Sequence, residues 1–330
     1  MAPAYHCITM LDPAVELNAD ILLYPLNSDL SPDLDALDTL YESAASPVKA
    51  LLATHYFGFI QPFDVLKNWC LKRNITLIED CSHVLFGDKY QASGAGKFGE
   101  LVVSSPYKFF ACEDGGLLYT QDAAWLVNVR TVGRTLVDEL RGIKHTIERR
   151  LFEVSESALP GKQEFLDEAK TRAALSVGFY TRPSSNYEPN SQDKAALRFS
   201  RWMVKNESPH SIAVARRANY THWLEAVTAL PNCESLYPRL PDTCIPYMFP
   251  LVIEHPQPHF HWLKQLGMPI WRWDELAISN CAISKRYQLH LLHLPCHQAL
   301  STKQMEWMIY QLGEVIRNPT TGGSHGLGTP

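Results

Sequence analysis

The stretch Ile75-Thr-Leu-Ile-Glu-Asp80-Cys-Ser-His83 decides the fold, with Leu101-Val-Val-Ser-Ser-Pro-Tyr-Lys108 and Asp114-Gly-Gly-Leu-Leu-Tyr119 behind it. The apolar run Ile75 to Ile78 reads as a buried strand and delivers Asp80 and His83 to its end. A second run, Leu101 to Val103, delivers Ser104, Ser105 and then Lys108. The Gly115-Gly116 pair turns the chain into a third run, Leu117 to Tyr119. A carboxylate at the end of a buried strand is costly unless something pairs with it. A carboxylate, an imidazole, small hydroxyls and one lysine gathered at strand ends suit a pyridoxal phosphate site. There the lysine forms a Schiff base, and the carboxylate keeps the pyridinium nitrogen protonated so that the ring accepts electrons.

Outward from this stretch, strand and helix patterns alternate. Ile21 to Tyr24, Val48 to Thr54 and Ile75 to Ile78 read as strands. Leu34 to Tyr41, behind the cap-like Ser31-Pro-Asp33, and Phe63 to Leu71 read as helices. The alternation predicts an α/β fold with a largely parallel sheet, whose ligands sit at the carboxyl ends of the strands. His55, Asp80 and His83 fall there, with Lys108 just beyond another strand. Residues 121–220 read as mainly helical, starting with Ala123 to Arg130. They are interrupted by the breaker-rich loop Arg182 to Asn190 and end in a helix from Ser211 to Leu230 that carries Arg216, Arg217 and Tyr220. From about residue 245 the α/β pattern returns, with a strand at Met248 to Ile253 and helices at His259 to Leu266 and Thr302 to Ile316. We divide the chain into a large domain (1–205), a small C-terminal domain (206–317) and a Gly/Thr-rich tail (318–330) expected to be disordered.

Composition narrows the function classes. With 330 residues, 46% of them hydrophobic, the chain can bury a large core. A formal net charge of −5 and no Lys/Arg run argue against nucleic acid or an acidic membrane as partner. The eight cysteines are scattered without a C-x-x-C pair, so reduced thiols in the cytoplasm are expected, with neither a zinc site nor a disulfide framework. No stretch of about 18 apolar residues reads as a membrane span.

The candidate residues form an ordered series. It runs His55-Tyr-Phe-Gly58, Glu79-Asp80-Cys-Ser-His83, Phe98-Gly99, Ser104-Ser105, Pro106-Tyr-Lys108, Asp114-Gly-Gly116 and Leu294-Pro-Cys-His297. The series resembles that of the DegT/StrS-type sugar aminotransferases, a branch of the fold-type-I pyridoxal-phosphate enzymes. The resemblance is carried by residues 1–120 and 285–317 and is weaker between them. It implies a pyridoxal 5'-phosphate-dependent transaminase that acts on a keto-sugar, nucleotide-linked, with an amino-acid donor such as glutamate. It implies a homodimer with two-subunit sites, for which Arg182 to Asn190 is the segment expected to reach the partner's cofactor.

By the same resemblance, Lys108 is the lysine that bonds the cofactor and moves protons. Asp80 pairs with the ring nitrogen, and His83 sits near the phenolic oxygen. Ser104 and Ser105 are both candidates for the phosphate, because the spacing from Gly99 to Lys108 is shorter than the family's. Cys7 stands where the family has an aromatic residue stacked on the ring, leaving Tyr5 or His6 as substitutes. Trp271 to Glu275 reads as a packed edge or part of a substrate mouth, and His297 as a residue facing the site. The family carries a phosphate-binding turn ahead of the position where this sequence begins. The sequence therefore leaves open an upstream start, a truncated enzyme, or a non-catalytic or regulatory paralogue of the same fold.

Overall fold

The computed structural model describes residues 1–85, 94–150, 184, 187–273 and 275–318. Strands β1 (Ala2–Pro3) and β2 (Leu23–Tyr24) pair in parallel as a small sheet. The main sheet has the order β3 (Ala50–Thr54), β4 (Thr76–Asp80), β5 (Leu101–Ser104), β6 (Leu117–Tyr119). The first three strands are parallel, and β6 runs antiparallel to β5. Helices α1 (Asp12–Glu16), α2 (Leu34–Glu42) and α3 (Asp64–Arg73) fill the connections. Asp33 caps α2 by accepting the Ala36 N–H at 3.1 Å. Asn74 ends α3 in the left-handed region at φ 53°, a conformation its short polar side chain tolerates.

Beyond β6, the expected helix over Ala123 to Arg130 is replaced by a 3-10 turn (Ala123–Leu126) and irregular chain, and the helix α4 (Leu136–Arg150) starts later. Tertiary pairing overrides local propensity here. The Val132 N–H donates to Asp193 O at 2.7 Å, and the Ala195 N–H donates back to Val132 O at 2.8 Å. Helices α5 (Arg198–Asn206) and α6 (Pro209–Thr228) lead to a three-stranded antiparallel sheet of β7 (Cys233–Ser235), β8 (Met248–Ile253) and β9 (Leu291–Pro295). Helices α7 (Pro256–Gln265), α8 (Ala282–His290) and α9 (Thr302–Arg317) complete this half. Strand β7 and helix α8 have no counterpart in the sequence reading. The tail beyond Asn318 lies outside the described residues.

One buried cluster joins the halves. Leu51, Ala53 and Leu77 of the main sheet share it with Trp223 of α6, Phe249 and Leu251 of β8, Leu292 and Leu294 of β9, and Met308 and Leu312 of α9. The two halves also touch through backbone. Gly58 follows β3 at φ +100°, and a Cβ there would stand 2.3 Å from Ile245 O. Only glycine meets both demands. Next to it the Tyr247 N–H donates to Phe57 O at 2.8 Å, which fastens the approach to β8 against the end of β3. Among the described residues no helix is long and apolar enough to cross a membrane.

Candidate active site

The parallel register sets Thr54 beside Asp80, and Asp80 beside Val103, so the carboxyl ends of β3, β4 and β5 finish level with one another. After β5 the chain makes a 3-10 turn, Pro106–Lys108, closed by the Phe109 and Phe110 N–H groups on Pro106 O at 2.9 Å. Phe109 and Phe110 are buried against Leu85, Cys112, Met203 and Ile212, and they anchor the turn from below. Lys108 then points into a cavity of about 670 Å³ whose walls include His6, Cys7, Thr54, Asp80, His83 and Ser105. A second cavity, of about 950 Å³, shares His83, Tyr107, Lys108, Arg272 and Trp273 with the first.

Asp80 is buried, and each of its carboxylate oxygens takes one protein donor. Oδ2 accepts from His6 Nε2 at 2.9 Å, and Oδ1 accepts the Ser82 N–H at 2.8 Å. The other ring nitrogen of His6, Nδ1, faces Cys7 O at 3.1 Å. Both nitrogens thus face acceptors, which an imidazolium satisfies and a neutral ring cannot. Burial opposes the charge on His6, but Cys7 and Asp80 outweigh it and push its pKa up to about 10. Burial likewise opposes ionisation of Asp80, yet the His6 hydrogen bond and charge, with Lys108, hold its carboxyl well below the usual range. Burial also works against a Cys7 thiolate, but His6 and Lys108 pull the thiol down.

Lys108 is the counterpart. Burial lowers its pKa, and the Asp80 and Cys7 charges oppose that fall only in part. Its Nζ lies 5.6 Å from the centroid of the Tyr247 ring, which stacks on His83 at 4.7 Å. The His83 Nδ1 faces the Phe57 N–H at 3.5 Å. Burial and then Lys108 drive its pKa far down, so His83 is neutral and carries its proton on Nε2.

The remaining sequence candidates divide. Ser105 lines the first cavity, with its Oγ donating to Ser82 Oγ at 3.2 Å. Ser104 is turned away from it and donates to Cys81 O at 3.3 Å. Tyr5 is enclosed in the core beside Trp273 and Tyr287, so of the two expected substitutes only His6 reaches the cavity wall. Arg272, Trp273 and Glu275 line the first cavity, and His297 lines the second. Ser184 is bound within its own chain. Its N–H donates to Asp12 Oδ2 at 3.0 Å and its Oγ to Glu275 Oε2 at 2.6 Å. Arg182, Ser185 and Asn186 of the same loop lie outside the described residues.

His55 and Glu79 do not reach the cavity. They form a buried centre in which His55 Nδ1 accepts the Gln61 N–H at 3.0 Å and Nε2 therefore donates to Glu79 Oε1 at 2.9 Å. Glu79 also accepts the N–H groups of Gly96 at 2.6 Å, Phe98 at 2.8 Å and Gly99 at 2.9 Å. With Cys81 close by, the group has the composition of a metal site, but its oxygens are already occupied by N–H donors. It ties the returning loop to the sheet.

Tyr247 and Thr54 are among the wall residues that escaped the sequence reading. Tyr247 gave no signal in its local context. Thr54, a polar residue ending an apolar strand, carried the same signal as Asp80. Its Oγ1 is buried and, among the described residues, has no hydrogen-bond partner. Thr54 lines the cavity together with a lysine, an ionised carboxylate and aromatic rings. The set fits pyridoxal phosphate: an amine for the aldehyde, a carboxylate for the ring nitrogen, and hydroxyls for the polar substituents.

Comparison with known proteins agrees. Residues 8–157 match the DegT/DnrJ/EryC1/StrS aminotransferase family. The fold is similar to that of the aminotransferase TlmJ from Streptoalloteichus hindustanus, at 15% identity and TM-score 0.61, covering 95% of this chain and 78% of that one. It is similar to Helicobacter pylori PseC, an aminotransferase involved in pseudoaminic acid biosynthesis, at 13% identity and TM-score 0.61, covering 96% and 78%. It is also similar to a putative sugar aminotransferase from Streptococcus pneumoniae in its PLP-form, at 13% identity and TM-score 0.61, covering 95% and 79%. DegT-family aminotransferases use pyridoxal phosphate. The chain thus shares its fold with these aminotransferase structures, and its residues 8–157 match the DegT/DnrJ/EryC1/StrS aminotransferase family.

Proposed function

We propose that this protein transfers an amino group from an amino-acid donor such as glutamate to a nucleotide-linked keto-sugar, in the formation of amino sugars for a surface polysaccharide or a natural product. The observation that carries the reading is the pairing in one cavity of Lys108, whose amine burial pushes toward neutrality, with Asp80, whose carboxylate His6 keeps ionised. Pyridoxal phosphate, when bound, supplies the aldehyde and an electron sink. The protein supplies the rest. Lys108 Nζ is the nucleophile for the aldehyde and afterwards carries the proton to and from the substrate carbon. Asp80 accepts the ring N–H, and His6 holds Asp80 in one orientation. Thr54 and Ser105 are the hydroxyls available to the polar substituents, and the Tyr247 and Trp273 rings keep water from the amine.

We place the protein in the cytoplasm and divide it into a cofactor-binding domain (1–205) and a small domain (206–317). We further propose a homodimer. The support is the exposure of large apolar side chains on two elements, all three residues of β6 and Leu136, Val137 and Leu140 of α4.

The test is reduction with borohydride after addition of pyridoxal phosphate, followed by peptide mass mapping. The cofactor mass is expected on Lys108 and absent from Lys108→Ala. A protein that takes up no cofactor would instead be a non-catalytic paralogue.

A further inference from the structure

Arg216 of α6 is 1% exposed, and no carboxylate among the described residues lies within ion-pair distance of it. A buried cation without a counter-ion is costly unless hydrogen bonds replace its hydration. Its donors are spent on uncharged acceptors. Nη2 donates to Lys108 O at 3.0 Å, Nη1 to Tyr247 O at 2.9 Å and Pro246 O at 3.2 Å, and Nε to Gln298 Oε1 at 2.7 Å. Gln298 extends the arrangement, since its Nε2 donates to Phe109 O at 2.6 Å. The guanidinium carbon also lies 4.8 Å from the Phe109 ring centroid.

These bonds converge on the backbone of two residues whose side chains meet in the cavity. Lys108 Nζ faces the Tyr247 ring, and that ring stacks on His83. One rigid guanidinium therefore holds the root of the amine and the root of the ring beside it. The two buried phenylalanines that follow Lys108 anchor the same turn on its apolar side. A planar five-donor fork can satisfy carbonyls from separate segments at fixed angles, which a lysine ammonium cannot.

We propose that Arg216, with Gln298, is a positioning residue that fixes the Lys108 turn against Tyr247 and so sets how the Lys108 amine enters the cavity and how far it is shielded from water. This rests on the reading of Lys108 as the reactive amine.

The test uses the full chain carrying Arg216→Lys, which keeps the charge and loses the fork. Reductive methylation with formaldehyde and cyanoborohydride, followed peptide by peptide against pH, reads the protonation of Lys108 without any cofactor. In the variant the Lys108 midpoint is expected to move up toward that of an ordinary lysine, while Lys49 and Lys72 label as in the parent. Capture of added pyridoxal phosphate is expected to slow by about tenfold or more, the scale of loss when a reacting group is displaced. Gln298→Leu removes one donor and one acceptor of the clamp while leaving Arg216, so it tests the same point if Arg216→Lys does not fold. Its midpoint is expected to move in the same direction by less. A folded variant with the parent's Lys108 midpoint and capture rate would overturn the proposal. Failure of pyridoxal phosphate to attach to Lys108 in the parent would sink the functional reading instead, and the methylation midpoint would still decide the role of Arg216.

Discussion

Replacing His6 with glutamine removes a charge from the buried His6–Asp80 pair and leaves a side-chain N–H to meet Asp80. The pKa of His6 rises from 6.5 to about 10 in the folded protein. At about 1.36 kcal/mol per pH unit, that rise corresponds to about 5 kcal/mol of stabilisation. Breaking a buried ion pair by removing one partner costs about 3–5 kcal/mol, which brackets the same figure. The sign follows from the direction. A folded-state pKa above the unfolded one stabilises fully below the unfolded value and loses that stabilisation as pH rises through the folded value. The deficit of His6→Gln relative to the parent is therefore expected to be largest near pH 6, about 3–5 kcal/mol, and to shrink to about 1 kcal/mol near pH 9.5. Urea unfolding of both proteins at the two pH values, without added cofactor, measures it. In the parent Asp80 stays ionised across this window, and the Cys7 charge shares in holding the proton on His6, so the deficit reports both partners together. A deficit that is constant, or that grows with pH, would mean that His6 is neutral in the fold and that Asp80 owes its ionised state to something else.

Asp80→Asn is expected to keep the fold and some cofactor binding while turnover falls by several orders of magnitude, because the ring nitrogen loses the group that keeps it protonated; steady-state kinetics with far-ultraviolet dichroism checks both halves. Thr54→Val is expected to leave thermal stability unchanged or slightly raised, since the buried hydroxyl has no partner among the described residues. The same variant is expected to weaken cofactor binding by about one hydrogen bond, about 1 kcal/mol, read by equilibrium titration. Sedimentation velocity is expected to show a dimer, and an aspartate at Leu118 on the exposed β6 is expected to shift it toward monomer.

The parts of this architecture written in local chemistry were legible in the sequence. The runs around Leu51, Leu77 and Val102 are apolar because parallel strands are covered on both faces, and Asp33 marks a helix start through its own side chain. Strand ends grouped Lys108, Asp80 and His83, whereas His6, which lines the same cavity, was suggested by the family resemblance alone. What stayed hidden depends on partners distant in sequence. Ser104 and Ser105 are equivalent as letters, and the pleat alone decides which of them faces the cavity. The segment after Ala123 has helical composition but forms only a 3-10 turn, and just beyond it Val132 pairs with residues 193–195. Tyr247 stands on the wall because Gly58 lets its backbone come close, and nothing near Tyr247 in the sequence records that.

The His55–Glu79 centre has a consequence for genetics. Loss of Glu79 removes the acceptor of the Gly96, Phe98 and Gly99 N–H groups, and loss of His55 removes that carboxylate's buried partner, so either change is expected to lower activity through the fold although neither side chain borders the cavity. An inactivation screen run at one temperature scores these positions alongside Lys108 and cannot separate them. A temperature series can. Alleles at His55 and Glu79 fail because the protein opens, so they should behave as conditional mutants that recover on cooling. Alleles at Lys108 should stay dead at every temperature. Permissive growth thus sorts the residues that hold the sheet from those that handle the substrate before any enzyme is purified.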